Sequence, residues 1–170
     1  ALALATILNR EALAIQEAGA GLIQFDEPAI AKWPEEFPLF LETSDIVTRG
    51  LSTKTAVYTW FRDIASISPD FFHLPFQVFG LDFVWGPANW QVIKHFPADK
   101  ELGLGIVDGR NTRMEPVEEV VTSIRKATQY VSPDRLHINP SCGLDYLPRR
   151  NAYDKLVLLV EGANKARGVS

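Results

Sequence analysis

Short apolar runs alternate along this chain with longer stretches whose apolar positions recur at helical spacing. Leu4, Ile7, Leu8, Ile15 and Ala18 give residues 1–19 a roughly helical period, with Glu11 on the same line, and Gly19 and Gly21 end it. Leu22 to Phe25 reads as a short buried strand stopping at Asp26-Glu27-Pro28, where the proline forbids further pairing. A weaker helical pattern covers 36–50, and Thr55 to Phe61, rich in β-branched and aromatic side chains, predicts a second strand. Asp70 to Gln77 predicts a short helical or irregular segment. Leu81 to Trp85 predicts a third strand halted by Gly86-Pro87, and Leu102 to Val107 a fourth ending in Asp108-Gly109. The clearest helix spans 116–131. Val117, Val120, Val121, Ile124, Ala127 and Val131 share one face, and Glu118 and Glu119 sit in the first turn, where the helix dipole favours them. Arg135 to Asn139 is the fifth strand, and 151–166 the last helix, with Leu156, Leu159, Val160 and Ala163 as its inner stripe.

Strands separated by helices imply a parallel sheet with right-handed crossovers. Each predicted strand ends in polar or small residues: Asp26-Glu27, Trp60 to Arg62, Gly86, Asp108 to Arg110, and Ser141-Cys142. That is the pattern of an α/β barrel whose functional residues gather at the strand ends. A doubly wound open sheet would normally bring a glycine-rich phosphate loop, and Gly103-x-Gly105 lies inside a strand and lacks the third glycine. A full (β/α)8 TIM barrel takes ~250 residues. The 170 residues are therefore expected to form a single domain, 1–170, that is the carboxyl-terminal part of such a barrel, with about five βα units. The remaining units belong to a longer protein or to another chain. On this reading the isolated chain exposes sheet edges and an apolar barrel interior, and oligomerises or aggregates.

The formal net charge of -4 and the scattered basic residues exclude electrostatic attraction to nucleic acid or to an anionic membrane. No apolar run reaches the length of a membrane span. The opening Ala-Leu-Ala-Leu-Ala reads as the start of a buried helix rather than a secretory leader. One cysteine makes no internal disulfide, so a cytoplasmic location is expected.

That cysteine, Cys142, follows the fifth strand on a turn of Asn, Pro, Ser and Gly. A thiolate there suits a soft metal such as zinc; the alternative is a small residue packed beneath a turn. The other strand ends leave similar alternatives open. Asp26 and Glu27 either receive a ligand amine or serve as turn cap and solvated surface charge. Arg110 either grips a carboxylate in a bidentate fork or pairs with Asp108 or Glu115. Trp60, Phe61 and Trp85 either stack a planar ring or fill a barrel mouth. Asn111 is first a turn former.

Three segments carry a family resemblance. Leu22-Ile23-Gln24-Phe25-Asp26-Glu27-Pro28-Ala29, Leu104-Gly105-Ile106-Val107-Asp108-Gly109-Arg110-Asn111-Thr112 and Asn139-Pro140-Ser141-Cys142-Gly143-Leu144 resemble, in order and similar spacing, strand motifs of the cobalamin-independent methionine synthase family. The last is followed by a helix ending in Ala163-Asn164-Lys165-Ala166-Arg167. The resemblance implies a barrel shared with uroporphyrinogen decarboxylase-like proteins. It also implies methyl transfer from a methylated folate, or a related donor, to homocysteine. Its small-molecule partners would be a folate and an amino-acid thiol, with Asp26, Glu27, Tyr58, Trp60, Asp108, Arg110 and Asn111 as the implied binding positions.

The family activates homocysteine on zinc, which holds the bound thiol as a thiolate. Its ligands are a His-x-Cys pair on one strand end, a Glu on the next, and the Cys of the Asn-Pro-x-Cys-Gly motif. Cys142 matches the last. Tyr58 and Trp60 occupy the positions expected of the pair, the strand expected to carry Glu reads Phe83-Val84-Trp85-Gly86, and Arg110 replaces a family histidine. His73, His95 and His137 fall elsewhere. Thr59-Trp60-Phe61, Gly109-Arg110-Asn111 and Ser141-Cys142-Gly143-Leu144 look more like the duplicated amino-terminal barrel of two-barrel relatives, which has lost zinc, or a stand-alone relative of it. Two expectations follow: a methyltransferase acting on homocysteine, or a non-catalytic barrel that binds a folate or a corrinoid protein or supports a catalytic partner.

Overall fold

A computed structural model describes residues 1–168. Five parallel strands lie in chain order in one sheet: β1 (Leu22–Asp26), β2 (Lys54–Tyr58), β3 (Val78–Asp82), β4 (Glu101–Val107) and β5 (Leu136–Pro140). Helix α1 (Leu2–Glu17) precedes β1, α2 (Phe37–Thr48) links β1 to β2, and the short α3 (Asn89–Val92) lies between β3 and β4. Helix α4 (Val117–Ala127) links β4 to β5, and α5 (Arg149–Arg167) follows β5. Among the described residues β1 and β5 each keep one unpaired edge, so the sheet is open. No described helix is long and apolar enough to cross a membrane.

Side chains alternate across a strand, and here the two faces differ sharply. Val57, Phe79, Leu81, Leu102 and Leu104 face the helices and join a core with Phe71, Phe72, Phe76, Val120, Ile124 and Leu159. The opposite face carries Gln24 and Asp26 of β1, Lys54 and Tyr58 of β2, Glu101 of β4, and His137 and Asn139 of β5, by the paired register. Lys54 and His137 converge on Glu101, 2.5 and 2.6 Å from its two oxygens. The expected apolar interior is thus corrected in part: Leu22, Ala56 and Val78 share this face, but charged and amide residues hold many of its other positions. Tyr58 lies flat across it, over Gly80 and Gly103, where any Cβ would collide with its ring.

The third strand is displaced from its expected place. Pairing runs from Val78 to Asp82 rather than from Leu81 to Trp85. The Asp82 carboxylate accepts the N–H groups of Val84 and Trp85 and turns the chain away. The second strand ends at Tyr58, short of the expected Phe61. Helix α4 buries the expected Val120, Val121, Ile124 and Ala127. The stripes of the terminal helices are corrected: α1 buries Ala5 and Ala12 and exposes Leu4, Ile7, Leu8 and Ile15. Helix α5 buries Lys155, Leu158, Leu159 and Gly162 and exposes Leu156 and Val160. Lys155 rotates that face: fully buried, it sits 2.7 Å from Glu115 and donates to the Arg113 carbonyl at 2.8 Å.

Candidate functional site

A cleft of about 860 Å3 opens at the carboxyl ends of β1, β2 and β5. Its polar lining includes Gln24, Asp26, Tyr58, Arg110, Asn139 and Cys142, and its apolar lining includes Trp60, Phe61, Leu144 and Tyr146. Of the residues named from sequence, Asp26, Tyr58, Trp60, Arg110 and Cys142 meet in this one space. Glu27, Asp108 and Asn111 stand outside its lining, each engaged with nearby backbone: Glu27 accepts the Ala29 N–H, Asp108 the Arg110 N–H, and Asn111 the Arg113 N–H, all at 2.9 Å.

The loop after β4 is held from two sides. Glu115 accepts the Asp108 N–H at 2.9 Å through one oxygen and the Lys155 ammonium through the other. The Trp85 indole N–H reaches Asp108 at 3.3 Å. Arg110 projects from this loop, makes no ion pair among the described residues, and lays its guanidinium 4.7 Å from the centroid of the Phe61 ring. On the other side of the cleft Asp26 accepts a hydrogen bond from the Gln24 amide at 2.7 Å. The Asn139 side-chain oxygen is buried with no partner among the described residues.

Burial at the strand ends moves three acidic groups upward. Burial, then the charges of Asp26 and Glu101, push the Tyr58 phenol up to about 12, so it serves as a neutral hydrogen-bonding group at ordinary pH. Burial also raises Asp82, against the lowering effect of three backbone N–H groups from Trp85, Phe61 and Val84. The Cys142 thiol is raised chiefly by burial, and it donates to the Gly143 carbonyl at 3.5 Å.

The donor set does not fit zinc. Cys142 is the only thiol, and Tyr58 and Trp60 replace the expected His-x-Cys pair. A carboxylate does stand at the end of β3, because that strand stops at Asp82 rather than beyond Phe83. Its oxygens are occupied by the N–H groups of Phe61, Val84 and Trp85 at 2.8–2.9 Å. Structural and catalytic zinc sites take three or four protein ligands. Among the described residues no three His, Cys, Asp or Glu side chains converge to hold a metal.

Sequence reasoning missed Asp82, Gln24 and Asn139. A signal for Asp82 was present. The runs Leu22 to Phe25 and Val78 to Leu81 both end in an aspartate, and Asp108 follows β4 in the same way.

Comparison with known proteins agrees with this architecture. Residues 1–165 match the family model described as cobalamin-independent synthase, catalytic domain. A methionine synthase of Pyrococcus abyssi is 37% identical over 164 residues, covering 96% of this chain and 48% of the relative. One from Saccharolobus islandicus is 36% identical over 167 residues, covering 96% and 50%. This chain thus spans about half the length of these relatives. Among solved structures, a B12-independent methionine synthase from a Shewanella species, in complex with selenomethionine, superposes with a TM-score of 0.83 at 26% identity. The match covers 97% of this chain and 54% of that one.

Proposed function

The chain belongs to the cobalamin-independent methionine synthase family, and from that premise we propose that its strand ends bind the amino acid of a methyl transfer to sulfur, homocysteine as acceptor and methionine as product. One observation carries the reading: Asp26 and Arg110, of opposite charge, line a single cleft. An α-amino acid is a zwitterion. A carboxylate for its ammonium and an unpaired guanidinium for its carboxylate are the complementary pair. The Asn139 oxygen adds an acceptor without a partner. The Shewanella relative, solved with selenomethionine, supports an amino acid of this type.

In the reaction, the sulfur of homocysteine attacks the methyl group of a methylated folate or related donor. A sulfur–carbon bond forms as the donor's bond to the methyl breaks. This chain's residues orient the amino acid; activation of the thiol is left to groups beyond its own donor set, since those residues do not fit zinc. The unpaired edges of β1 and β5, and the exposed Leu4 and Ile7 of α1 and Val157 and Val160 of α5, support further βα units that complete the barrel.

A second reading is favoured by the aromatic cluster at the cleft. Trp60 and Phe61 pack edge-on at 6.2 Å, with Arg110 against Phe61. Such a surface suits the ring or the anionic tail of a folate on a barrel that itself does no catalysis.

Calorimetry on metal-free protein tests the first reading. L-methionine should bind, N-acetyl-L-methionine should bind about tenfold or more weakly, and Asp26→Asn should abolish that preference. Equal binding of the two ligands contradicts the amine contact. Stoichiometric zinc in the purified protein, lost in Cys142→Ala, contradicts the reading of the donor set.

A further inference from the structure

We infer that Phe61 and Asp82 are positioning residues for Arg110: Asp82 locks Phe61 in a left-handed backbone conformation, and the Phe61 ring then aims the guanidinium into the cleft. The inference rests on the reading of Arg110 as the carboxylate contact. Phe61 has φ 71°, and among the described residues no other non-glycine residue has positive φ. A bulky aromatic there is a backbone outlier, held only where its surroundings over-determine it.

Those surroundings are visible. The Phe61 N–H donates to Asp82 Oδ2 at 2.9 Å, while Asp82 Oδ1 is fixed by Val84 and Trp85. Just beyond, Asn89 donates to the Asp82 carbonyl at 2.8 Å and accepts the Ile64 N–H at 3.1 Å. Asp82 and Asn89 are both fully buried. The loop after β2 is therefore tied to the end of β3 at two points flanking the Phe61–Asp63 turn. The product of this arrangement is an aromatic ring left 40% exposed at the cleft instead of packed in the core. Its occupant is Arg110, which has no carboxylate partner among the described residues and faces the same space. A ring beneath a guanidinium fixes the plane of the fork, which a carboxylate needs for two parallel hydrogen bonds.

The test is calorimetric titration of L-methionine and of its methyl ester, which lacks the carboxylate charge. Arg110→Ala should weaken L-methionine at least about tenfold. Phe61→Ala should weaken it about two- to fivefold, while Phe61→Tyr stays within about twofold of the wild type. Neither Arg110→Ala nor Phe61→Ala should alter the ester. Phe61→Gly should bind like Phe61→Ala yet melt about 2–4 °C higher, because glycine accepts positive φ. Asp82→Asn should show the same carboxylate-specific loss as Phe61→Ala, and the Phe61 series stands if that variant fails to fold. If Arg110→Ala leaves L-methionine unchanged, the carboxylate contact itself falls. If Arg110→Ala weakens binding but Phe61→Ala does not, or weakens ester and acid alike, the positioning role is overturned and the contact stands. Equal melting of the Gly and Ala variants would remove the strain argument.

Discussion

The two faces of the sheet are built from alternate residues of the same strands, yet one is a core and the other a polar floor. Toward the helices, Val57, Phe79, Leu81, Leu102 and Leu104 are almost completely buried. Toward the open side, Lys54, Glu101 and His137 form a network at the amino ends of their strands, Tyr58 spans the middle, and Gln24 and Asp26 stand at the carboxyl end. The core lies on the first face, and the proposed amino-acid site opens at the carboxyl end of the second. A parallel sheet usually buries both faces in apolar residues, and here Gln24, Asp26, Lys54, Tyr58, Glu101, His137 and Asn139 set the open face apart from that pattern.

The sharpest way to break this contrast is to truncate one residue on each face. Phe79→Ala should cost about 3–5 kcal/mol in denaturant unfolding, as for buried Phe elsewhere, whereas Gln24→Ala should cost no more than about 0.5 kcal/mol. Similar losses would show that the open face also holds the fold together. Among the described residues the helix side keeps one buried charge, Lys155, paired with Glu115. Lys155→Met should destabilise by about 3–5 kcal/mol, and adding Glu115→Leu should restore much of the loss, because the damage lies in the stranded carboxylate.

Smaller effects sharpen the account of the polar face. Between about pH 10, the ordinary tyrosine value, and about 12, folded Tyr58 keeps a proton that the unfolded chain has lost. Its contribution is therefore complete below pH 10 and disappears as pH rises through 12. Tyr58→Phe should flatten that part of the stability–pH curve. Glu101 behaves oppositely. The Lys54 hydrogen bond, and after it the His137 bond, lower its carboxyl. Its contribution, below about 1 kcal/mol for so exposed a group, is present above the ordinary carboxylate range and lost as pH falls below it. Glu101→Gln should soften the acid limb of the curve; an unchanged limb would mean the network is energetically silent.

What was legible in the sequence follows the same division. The order of strands and helices, and the buried face of α4, could be read because Val120, Val121, Ile124 and Ala127 recur at helical spacing above a charged opposite face. The faces of α1 and α5 could not. Their contacts are made by Ala5, Ala12, Lys155 and Gly162, residues that a search for large apolar side chains passes over, while Ile7 and Val160 point outward. The end of β3 was misplaced because Phe83, Val84 and Trp85 continue the apolar run, and only the hydrogen bonds of Asp82 show where pairing stops. Asp26, Tyr58, Trp60, Arg110 and Cys142 were found as strand-end residues. The arrangement of Arg110 on the left-handed Phe61 lies in backbone geometry that no residue pattern encodes.

The central claim, that the carboxyl end of the polar face holds an amino acid between two opposite charges, is tested most directly by titrating L-methionine into the wild type, Asp26→Asn, Arg110→Ala and the double variant. The account predicts binding that each single change weakens about tenfold or more and that the double change removes, with melting temperatures unaltered because both side chains are exposed. Binding that survives in the double variant at wild-type strength would contradict it.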